Sequence, residues 1–225
     1  MARKARKPLT RDRVLRAAMA LADKDGIEAL SMRRLGQELG VEAMSLYNHV
    51  ANKDDLLNGM LEVVLHEMEI PGDGVHWKAA LRLHAVSAHA AFRRHSWACQ
   101  LAVSPPSLDR VLDVQIRQME WKLARLRDGL SDHLVYHGLH ALDSHITGFT
   151  LWQQSHQITA DNVGDLAAQF LRMFPADEYP RTYEHVEQHM TGFGSDTNAF
   201  EFGLDLILTG LERLHEGDPG VTVER

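Results

Sequence analysis

The stretch Ser31–Val50, which reads SMRRLGQELGVEAMSLYNHV, determines how the rest of the chain is interpreted. In its first half, Met32, Leu35 and Leu39 recur at the i, i+3, i+7 spacing of a short amphipathic helix. Gly40 follows the last of these residues, where a left-handed turn forms most easily without a Cβ atom. Two short helices joined by a tight glycine turn are typical of the helix-turn-helix, whose second helix enters the major groove of DNA.

The second helix of this stretch has an apolar inner face and a mixed outer face. Its pattern places Val41, Leu46 and Val50 inward. The outer face then carries Ala43, Met44, Tyr47 and Asn48. A helical hairpin that serves only as part of the core has the same packing pattern, so the helix pair by itself leaves both interpretations open.

The charge of the chain is divided unequally along its length. Residues 1–53 carry eleven Lys/Arg and six Asp/Glu, a net charge of +5, which leaves −12 for the remainder of a chain whose total is −7. A basic segment attracts DNA phosphates, and here it coincides with the helix-turn-helix pattern. We therefore expect a DNA-binding end followed by an acidic body.

Several features indicate the compartment in which the protein works. No run of about 18 apolar residues is present, so no membrane-spanning helix is expected. The basic start, MARKARKPLTRDR, is not followed by the apolar core of a secretory signal. Cys99 is the single cysteine, which rules out an intrachain disulfide and fits a reducing compartment. We expect the protein to lie in the cytoplasm.

Helical periodicity continues on both sides of the central stretch, and no strand pattern or internal repeat interrupts it. Thr10 is a suitable N-cap for a first helix that ends at Gly26, and Asn52 begins a fourth helix that ends before Pro71. Further helices are predicted over residues 77–95, 96–103, 108–126, 131–157, 163–174 and 198–214. Loops are predicted around Pro175, Pro180, Gly192 and Gly194. The sequence therefore predicts an all-α fold.

The order of these motifs resembles the TetR family of bacterial transcriptional regulators, and most closely its tetracycline-repressor branch. The resemblance rests on the turns Gly26-Ile27 and Gly40-Val41, on LYNHV at 46–50 and NKDDLL at 52–57, and on AFEFGLDLI at 199–207 with GLE at 210–212. It implies a homodimer that represses a promoter by binding double-stranded operator DNA and releases it when a small-molecule effector binds. The dimer would form through the last two long helices, and the final helix is apolar nearly all round.

The resemblance also implies a domain organisation. We expect a helix-turn-helix DNA-binding domain over residues 8–52, a connector helix over 53–70, a helical effector-binding and dimerisation domain over 71–216, and a tail over 217–225. No cofactor is expected. The sequence does not identify the promoter, the effector or the sign of regulation.

Nine residues match DNA-contacting positions of the family. Arg33 matches a position that contacts a base edge, where a guanidinium can donate two hydrogen bonds to guanine. Ala43, Met44, Ser45 and Asn48 match the recognition face. Ser31, Tyr47, His49 and Lys53 match phosphate-contacting positions, and for Tyr47 this contact is favoured over a competing role in packing. Because residues 43–50 contain no Arg, Lys or Gln, readout would depend on Asn48, apolar contacts and DNA shape.

The effector region departs from the tetracycline branch, in which polar residues hold a drug–magnesium complex. Aligned on Trp77 and Leu81, a polar family position becomes His84 and an aromatic one becomes Ala88. A metal-ligating histidine falls near Ala102, a threonine near Pro105 and an acidic residue near Trp152. The resemblance therefore implies that the magnesium site is largely lost.

Bulky side chains replace the polar set. Trp121, Phe149 and Trp152 favour an apolar effector, which could be aromatic or polyketide-like. His84, His140 and Asn162 are candidate polar anchors. The alternative is that these aromatic residues belong to the core, as tryptophans at helical spacing commonly do.

The fourteen histidines raise a second interpretation, a metal-responsive regulator that senses through its C-terminal histidines. His133, His137 and His140 share one helical face, and His185 and His189 share another, at spacings that zinc sites use. No thiolate or carboxylate cluster completes either set, so we assign no metal ligands.

A third interpretation is a helical hydrolase or binding protein with an incidental hairpin. No Gly-x-Ser-x-Gly motif, glycine-rich phosphate loop or base beside Cys99 is evident, so the sequence predicts that the protein is not an enzyme. Salt-dependent DNA binding would distinguish the regulator from such a protein.

Overall fold

The structure is a computed structural model that describes residues 8–104, 113–155, 162–190 and 198–217. Throughout these ranges the regular structure is helical, and they contain no strand. The all-α fold expected from the sequence is confirmed.

Three helices form the N-terminal part, which we call the head. They are α1 (Arg11–Asp25), α2 (Met32–Leu39) and α3 (Ala43–Leu46), with a short 3-10 turn at Ile27–Ala29 between the first two. The next helix, α4 (Lys53–His66), leaves the head and is the connector.

The remaining helices form the body. They are α5 (Trp77–Arg94), α6 (Ser96–Val103), α7 (Asp113–Arg127), α8 (Asp132–Ser155), α9 (Val163–Met173), α10 (Pro180–Met190) and α11 (Ala199–Glu216). The long helix α8 packs against α5, α7 and α11, and α9 packs against α10. One apolar core runs from the head through α4 into the body, so the connector is packed along its length rather than exposed as a linker.

Side chains at the start of three helices explain why they begin where they do. The side-chain oxygens of Thr10, Ser31 and Asn52 accept the backbone N–H three residues further on, at 3.2, 3.2 and 2.8 Å. Each bond satisfies one of the N–H groups that a helix leaves without a partner in its first turn. The capping roles expected of Thr10 and Asn52 are confirmed, and Ser31 caps α2 in the same way.

The prediction of a loop at Pro180 is wrong, because α10 begins at that residue. Proline is favourable at the first position of a helix, where its fixed φ is already helical and its missing N–H is not needed. The other predicted helices agree with the structure to within a few residues, except that 108–112 and 156–157 lie outside the described residues, as do Gly192, Gly194 and the tail from 218 onwards.

Helix α11 is held against α5 by ion pairs along one side. Arg82 pairs with Glu201 at 2.6 Å and with Asp205 at 2.7 Å, and Lys78 pairs with Glu212 at 2.6 Å. Its inner face is buried through Phe200, Leu204, Leu208 and Leu211. Its outer face leaves Phe202, Leu206 and Leu214 between 57% and 62% exposed. The two faces of this apolar helix therefore have different surroundings within the single chain.

Candidate DNA-binding surface and effector region

The two helices of the helix-turn-helix approach each other closely at Gly36. A Cβ atom there would lie 2.9 Å from the carbonyl oxygen of Val41 and 3.2 Å from the backbone nitrogen of Ala43. Gly40 ends α2 in the left-handed conformation, with φ of +65°. The turn at Gly40 is evident from the sequence, whereas the close approach at Gly36 is not. The only signal for Gly36 is a glycine within a helical pattern, where it is unfavourable unless packing requires it.

Buried leucine and valine side chains anchor this pair to the rest of the head. Leu35 and Leu46 are completely buried and Val50 is 2% exposed, whereas Val41 is only half-buried. The second helix is shorter than the pattern predicted, because α3 ends at Leu46 and residues 47–49 form a turn. Tyr47 and Asn48 therefore lie just beyond the helix.

None of the nine residues matched to DNA contacts is buried. Arg33 and Asn48 are exposed, Met44 is 75% exposed and Tyr47 is 43% exposed. Ser31 and Lys53 are also exposed, whereas Ala43, Ser45 and His49 are half-buried. Ser31 caps α2, and the other eight lie on α2, on α3 or in the segment that leads from α3 to the first residue of α4.

The side chains of these nine residues are largely uncommitted within the protein. Among the described residues, Arg33 makes no hydrogen bond or ion pair, whereas the neighbouring Arg34 pairs with Asp25. The hydroxyl oxygen of Ser31 accepts the Arg34 N–H, which leaves the hydroxyl proton to be donated elsewhere. An exposed arginine without an internal partner keeps its five donors for another molecule.

Besides the shared apolar core, the head makes polar contacts with the body through the carboxylate of Asp23. Asp23 at the end of α1 accepts a hydrogen bond from Nε1 of Trp97 at 2.7 Å and from Nδ1 of His95 at 2.9 Å. His95 also has its Nε2 3.5 Å from a carboxylate oxygen of Glu67 beyond the end of α4. The start of α6 is thereby joined to both α1 and the connector.

His84 and Trp121 form the first group of candidate effector residues. His84 is 3% exposed, its Nδ1 donates to the carbonyl of Glu69 at 2.8 Å, and its ring centroid is 5.1 Å from that of Trp121. Nε1 of Trp121 donates to the carbonyl of Pro71 at 3.1 Å. Burial, with a smaller contribution from Lys122, lowers the pKa of His84 to about 4. The ring is neutral at pH 7, with Nε2 as an acceptor.

A second group surrounds Phe149. The ring of His89 stacks on Phe200 at 4.0 Å, Phe149 lies 5.6 Å from Phe200, and Nδ1 of His89 donates to the hydroxyl of Thr150 at 2.8 Å. Burial, assisted by Arg93 and His145, lowers the pKa of His89 to about 4. The sequence analysis did not identify His89, since a lone histidine in a helix gives no signal.

The remaining candidate effector residues are separated from these groups or lie at their edge. Ala88 is buried on α5 and Ala102 is half-buried on α6. Trp152 is 53% exposed, so it is not part of the core, and its ring centroid lies 6.1 Å from that of Phe149. Asn162 directly precedes α9 and is half-buried.

The placement of His140 differs from its expected role as a polar anchor inside the body. The side chain is exposed, with its ring 4.8 Å from Tyr136 on the outer face of α8. The buried face of α8 includes Gly138 and Leu142, and a residue midway between them points to the opposite side of a helix with 3.6 residues per turn.

Comparison with known proteins identifies the family. The family description "Bacterial regulatory proteins, tetR family" matches residues 14–60, and "Tetracyclin repressor-like, C-terminal domain" matches residues 70–215. The chain belongs to the TetR family.

Relatives within this family are repressors. The HTH-type transcriptional repressor DrrR1 of Streptomyces coeruleorubidus is 37% identical over 218 residues, which cover 92% of this chain and 78% of the relative. The class D tetracycline repressor protein of Escherichia coli is 28% identical over 200 residues, which cover 82% of this chain and 89% of the relative.

A solved TetR-family structure has the same fold. ActR of Streptomyces coelicolor, in complex with actinorhodin, is 31% identical, with a TM-score of 0.67, and the match covers 92% of this chain and 99% of that one. The protein is therefore a ligand-responsive transcriptional repressor of the TetR family, a family of DNA-binding regulators rather than enzymes.

The described part of this TetR-family chain does not support the metal-sensing alternative. It contains no group of three or more His, Cys, Asp or Glu side chains placed to hold a metal ion. His133 and His137 lie together on the exposed face of α8, with ring centroids 4.6 Å apart, and His185 is exposed on α10. The side chain of His189 lies outside the described residues.

Cys99 is also unsuited to nucleophilic chemistry. It is completely buried, and burial raises the pKa of its thiol to about 11. The thiol is therefore protonated at neutral pH, whereas nucleophilic attack requires the thiolate. Among the described residues, no helix is long and apolar enough to cross a membrane.

Proposed function

We propose that this TetR-family protein acts in the cytoplasm as a homodimeric repressor that binds a palindromic operator and releases it when an apolar or aromatic small molecule enters the body. The observation that carries the DNA-binding part is the exposed Arg33, which has no internal partner among the described residues, on a helix pair anchored by the fully buried Leu35 and Leu46. A rigid support and uncommitted donors are what direct readout of a base edge requires.

The palindrome follows from two-fold symmetry. A dimer formed through α8 and α11 presents two identical heads, and such heads bind half-sites about 34–36 Å apart, one turn of DNA. The exposed Phe202, Leu206 and Leu214 of α11, with Trp152 of α8, supply the apolar surface for this pairing.

The surroundings of His84 and Trp121 support an apolar or aromatic effector. They combine a half-buried indole with a neutral imidazole, which suits an apolar ligand that carries a hydrogen-bond donor. The related ActR has been solved with actinorhodin. By contrast, Ala88 and Ala102 carry no group that could hold a drug–magnesium complex.

The route from effector to operator runs through the packed connector and Asp23. Effector binding that favours a different placement of α4 and α6 would shift the population of head positions through the bonds from Trp97 and His95 to Asp23. The two heads then no longer match half-sites one turn apart.

Fluorescence anisotropy on DNA from upstream of the protein's own gene tests the proposal. Wild-type protein, Arg33→Ala and the control Arg127→Ala on α7 are compared over a series of salt concentrations. We expect tight, salt-sensitive binding by wild type and the control, and a loss of about 1–3 kcal/mol for Arg33→Ala. Circular dichroism checks that the variant is folded.

The same assay tests the effector. Addition of actinorhodin, the first probe, should quench tryptophan fluorescence and release the DNA, whereas tetracycline with Mg²⁺ should do neither. Unchanged operator affinity for Arg33→Ala contradicts its assigned role. Release by tetracycline that requires Mg²⁺ contradicts the apolar effector.

A further inference from the structure

Arg11, in the first turn of α1, reaches across the head to two separate parts of the chain. Its Nη1 donates to the carbonyl oxygen of His49 at 2.9 Å and to Oδ2 of Asp55 at 3.0 Å, and its Nη2 donates to Oδ1 of Asp55 at 3.0 Å. The contact with the carboxylate is the two-bonded arrangement that arginine forms best. Arg11 thereby holds His49, which is 38 positions further along the chain, and Asp55, which is 44 positions further along.

Asp55 extends this arrangement to the turn that follows α3. Its Oδ2 accepts the backbone N–H of Ala51 at 2.8 Å, and its own backbone N–H is bound by the side chain of Asn52 at 2.8 Å. The turn after the recognition helix is therefore fixed at two points, the carbonyl of His49 by Arg11 and the amide of Ala51 by Asp55. We call this group the Arg11–Asp55 clamp.

Helix α4 has a glycine where the clamp crosses it. A Cβ atom on Gly59 would lie 3.0 Å from Nη2 of Arg11 and 2.9 Å from Cδ2 of Leu15. Gly59 is buried within α4, where glycine is otherwise less favourable than alanine. The absence of a side chain leaves room for the guanidinium between α1 and α4.

We propose that Arg11 is a positioning residue for operator recognition, which acts with Asp55 to fix the angle of α3 and its following turn relative to α1 and α4. This inference rests on the proposed function. It differs from the simpler interpretation of Arg11 as one more positive charge that attracts phosphates, because all three of its bonds are made inside the protein and Asp55 neutralises its charge.

The clamp is expected to affect the position of α3 and its following turn more than the free energy of unfolding. Arg11 and Asp55 side chains are 44% and 24% exposed, and ion pairs at such exposure contribute little to the free energy of unfolding. A recognition element must nevertheless be held to within a fraction of an ångström for its side chains to meet base edges. Loosening the turn is therefore expected to weaken operator binding selectively.

Substitutions of opposite charge distinguish the two interpretations. Arg11→Gln removes a positive charge and Asp55→Asn removes a negative one, and both break the clamp. We expect each to lower operator affinity by about tenfold, the loss expected when about one base pair is no longer read, while affinity for unrelated DNA changes far less. Arg11→Lys should weaken operator binding too, with an unchanged salt slope, since lysine keeps the charge but not the two-bonded geometry.

Matched controls carry the same charge changes next to the clamp. Asp54→Asn, at the neighbouring exposed position of α4, should strengthen binding to any DNA slightly, and Arg16→Gln on the exposed side of α1 should weaken it without altering specificity. Gly59→Ala provides a test without charge change, because its methyl group would displace the guanidinium of Arg11. Operator affinity should fall, although alanine is otherwise more favourable than glycine within a helix.

Three results would overturn the clamp. They are an Asp55→Asn variant that binds all DNA more tightly, as Asp54→Asn does; an Arg11→Lys variant with wild-type affinity; and a Gly59→Ala variant that leaves operator affinity unchanged. A wild-type protein with no salt-dependent binding to any DNA would instead contradict the proposed function, so the two failures are distinguishable.

Discussion

At the scale of single residues, the protein combines exposed side chains that have no internal partner with buried histidines that are each held by a hydrogen bond to a protein oxygen. Arg33 has no internal partner among the described residues, whereas His84 and His89 are buried and each donates one hydrogen bond to a protein oxygen. Residues of the first kind are available to DNA, and those of the second kind fix the interior of the body. The buried histidines also make the folding stability depend on pH, because burial lowers the pKa of each.

The two buried histidines predict a loss of stability in acid. The pKa of each is about 4 in the folded chain, below the ordinary value of 6.5, so the unfolded chain binds more protons between these values. The free energy of unfolding should therefore be fully retained above pH 6.5 and fall as the pH drops towards 4, by up to about 3 kcal/mol for each histidine.

Urea denaturation at pH 7 and pH 5 measures this loss. His84→Gln, which cannot titrate, should show a smaller difference between the two pH values than the wild type does. His137→Gln, at an exposed position on α8, is the control and should behave like the wild type. An identical pH dependence for all three proteins would contradict the role of His84 burial.

At the scale of elements, the close crossing of α2 and α3 determines where the recognition residues lie. The angle depends on Gly36, because the atoms that a side chain there would meet belong to the backbone of Val41 and Ala43 and cannot rotate away. The Arg11–Asp55 clamp acts on the other end of the same short helix. The four-residue α3 is thus positioned by its neighbours rather than by its own helical stability, which is marginal at that length.

Gly36→Ala should separate α2 from α3. We expect a loss of about 1–3 kcal/mol in the free energy of unfolding, the usual cost of overpacking, and weaker operator binding. Gly164→Ala in α9 is the matched control, since a Cβ atom there meets nothing within 4 Å. That control should instead stabilise the protein by roughly 0.5–1 kcal/mol. Equal effects from the two substitutions, measured by thermal and urea denaturation, would exclude backbone contact as the cause.

At the scale of the whole molecule, the outer face of α11 is an apolar surface that the described part of the chain does not cover. The ion pairs of Lys78 and Arg82 with α11 fix the rotation of that helix, so Phe202 and Leu206 point outward. A dimer through this surface would connect the two heads by way of the continuous core, and a change in one body would then alter the separation of the heads.

Leu206→Glu should break the dimer. Leu206 is 60% exposed in the single chain, so the substitution does not disturb the core, but it places a charge in the proposed interface. Sedimentation velocity should show monomers, and operator affinity should fall by more than tenfold because two linked heads bind better than one. Leu83→Glu, an exposed leucine on α5, is the control and should remain dimeric. A dimeric Leu206→Glu protein would contradict an interface through α11.

The sequence by itself determined the helical class, most helix boundaries, the helix caps and the family, because these depend on local periodicity and on residues close to one another in the chain. Ser31 and Gly40 show their roles within a few positions. The same holds for Met44, whose exposure follows from helical spacing, whereas Arg33 was assigned from the resemblance to the family. The sequence-based prediction failed at Pro180, because this proline was interpreted as part of a loop and instead begins helix α10.

Only the tertiary structure decided which residues meet across helices. It separated the candidate effector residues into a His84–Trp121 group and a group around Phe149, left His140 outside both, and showed the contacts of Gly36, His89 and Arg11. These outcomes depend on contacts between residues tens of positions apart, on the rotation of each helix about its axis and on the space between backbones. No local pattern encodes those quantities, because they are set by how all the helices pack together.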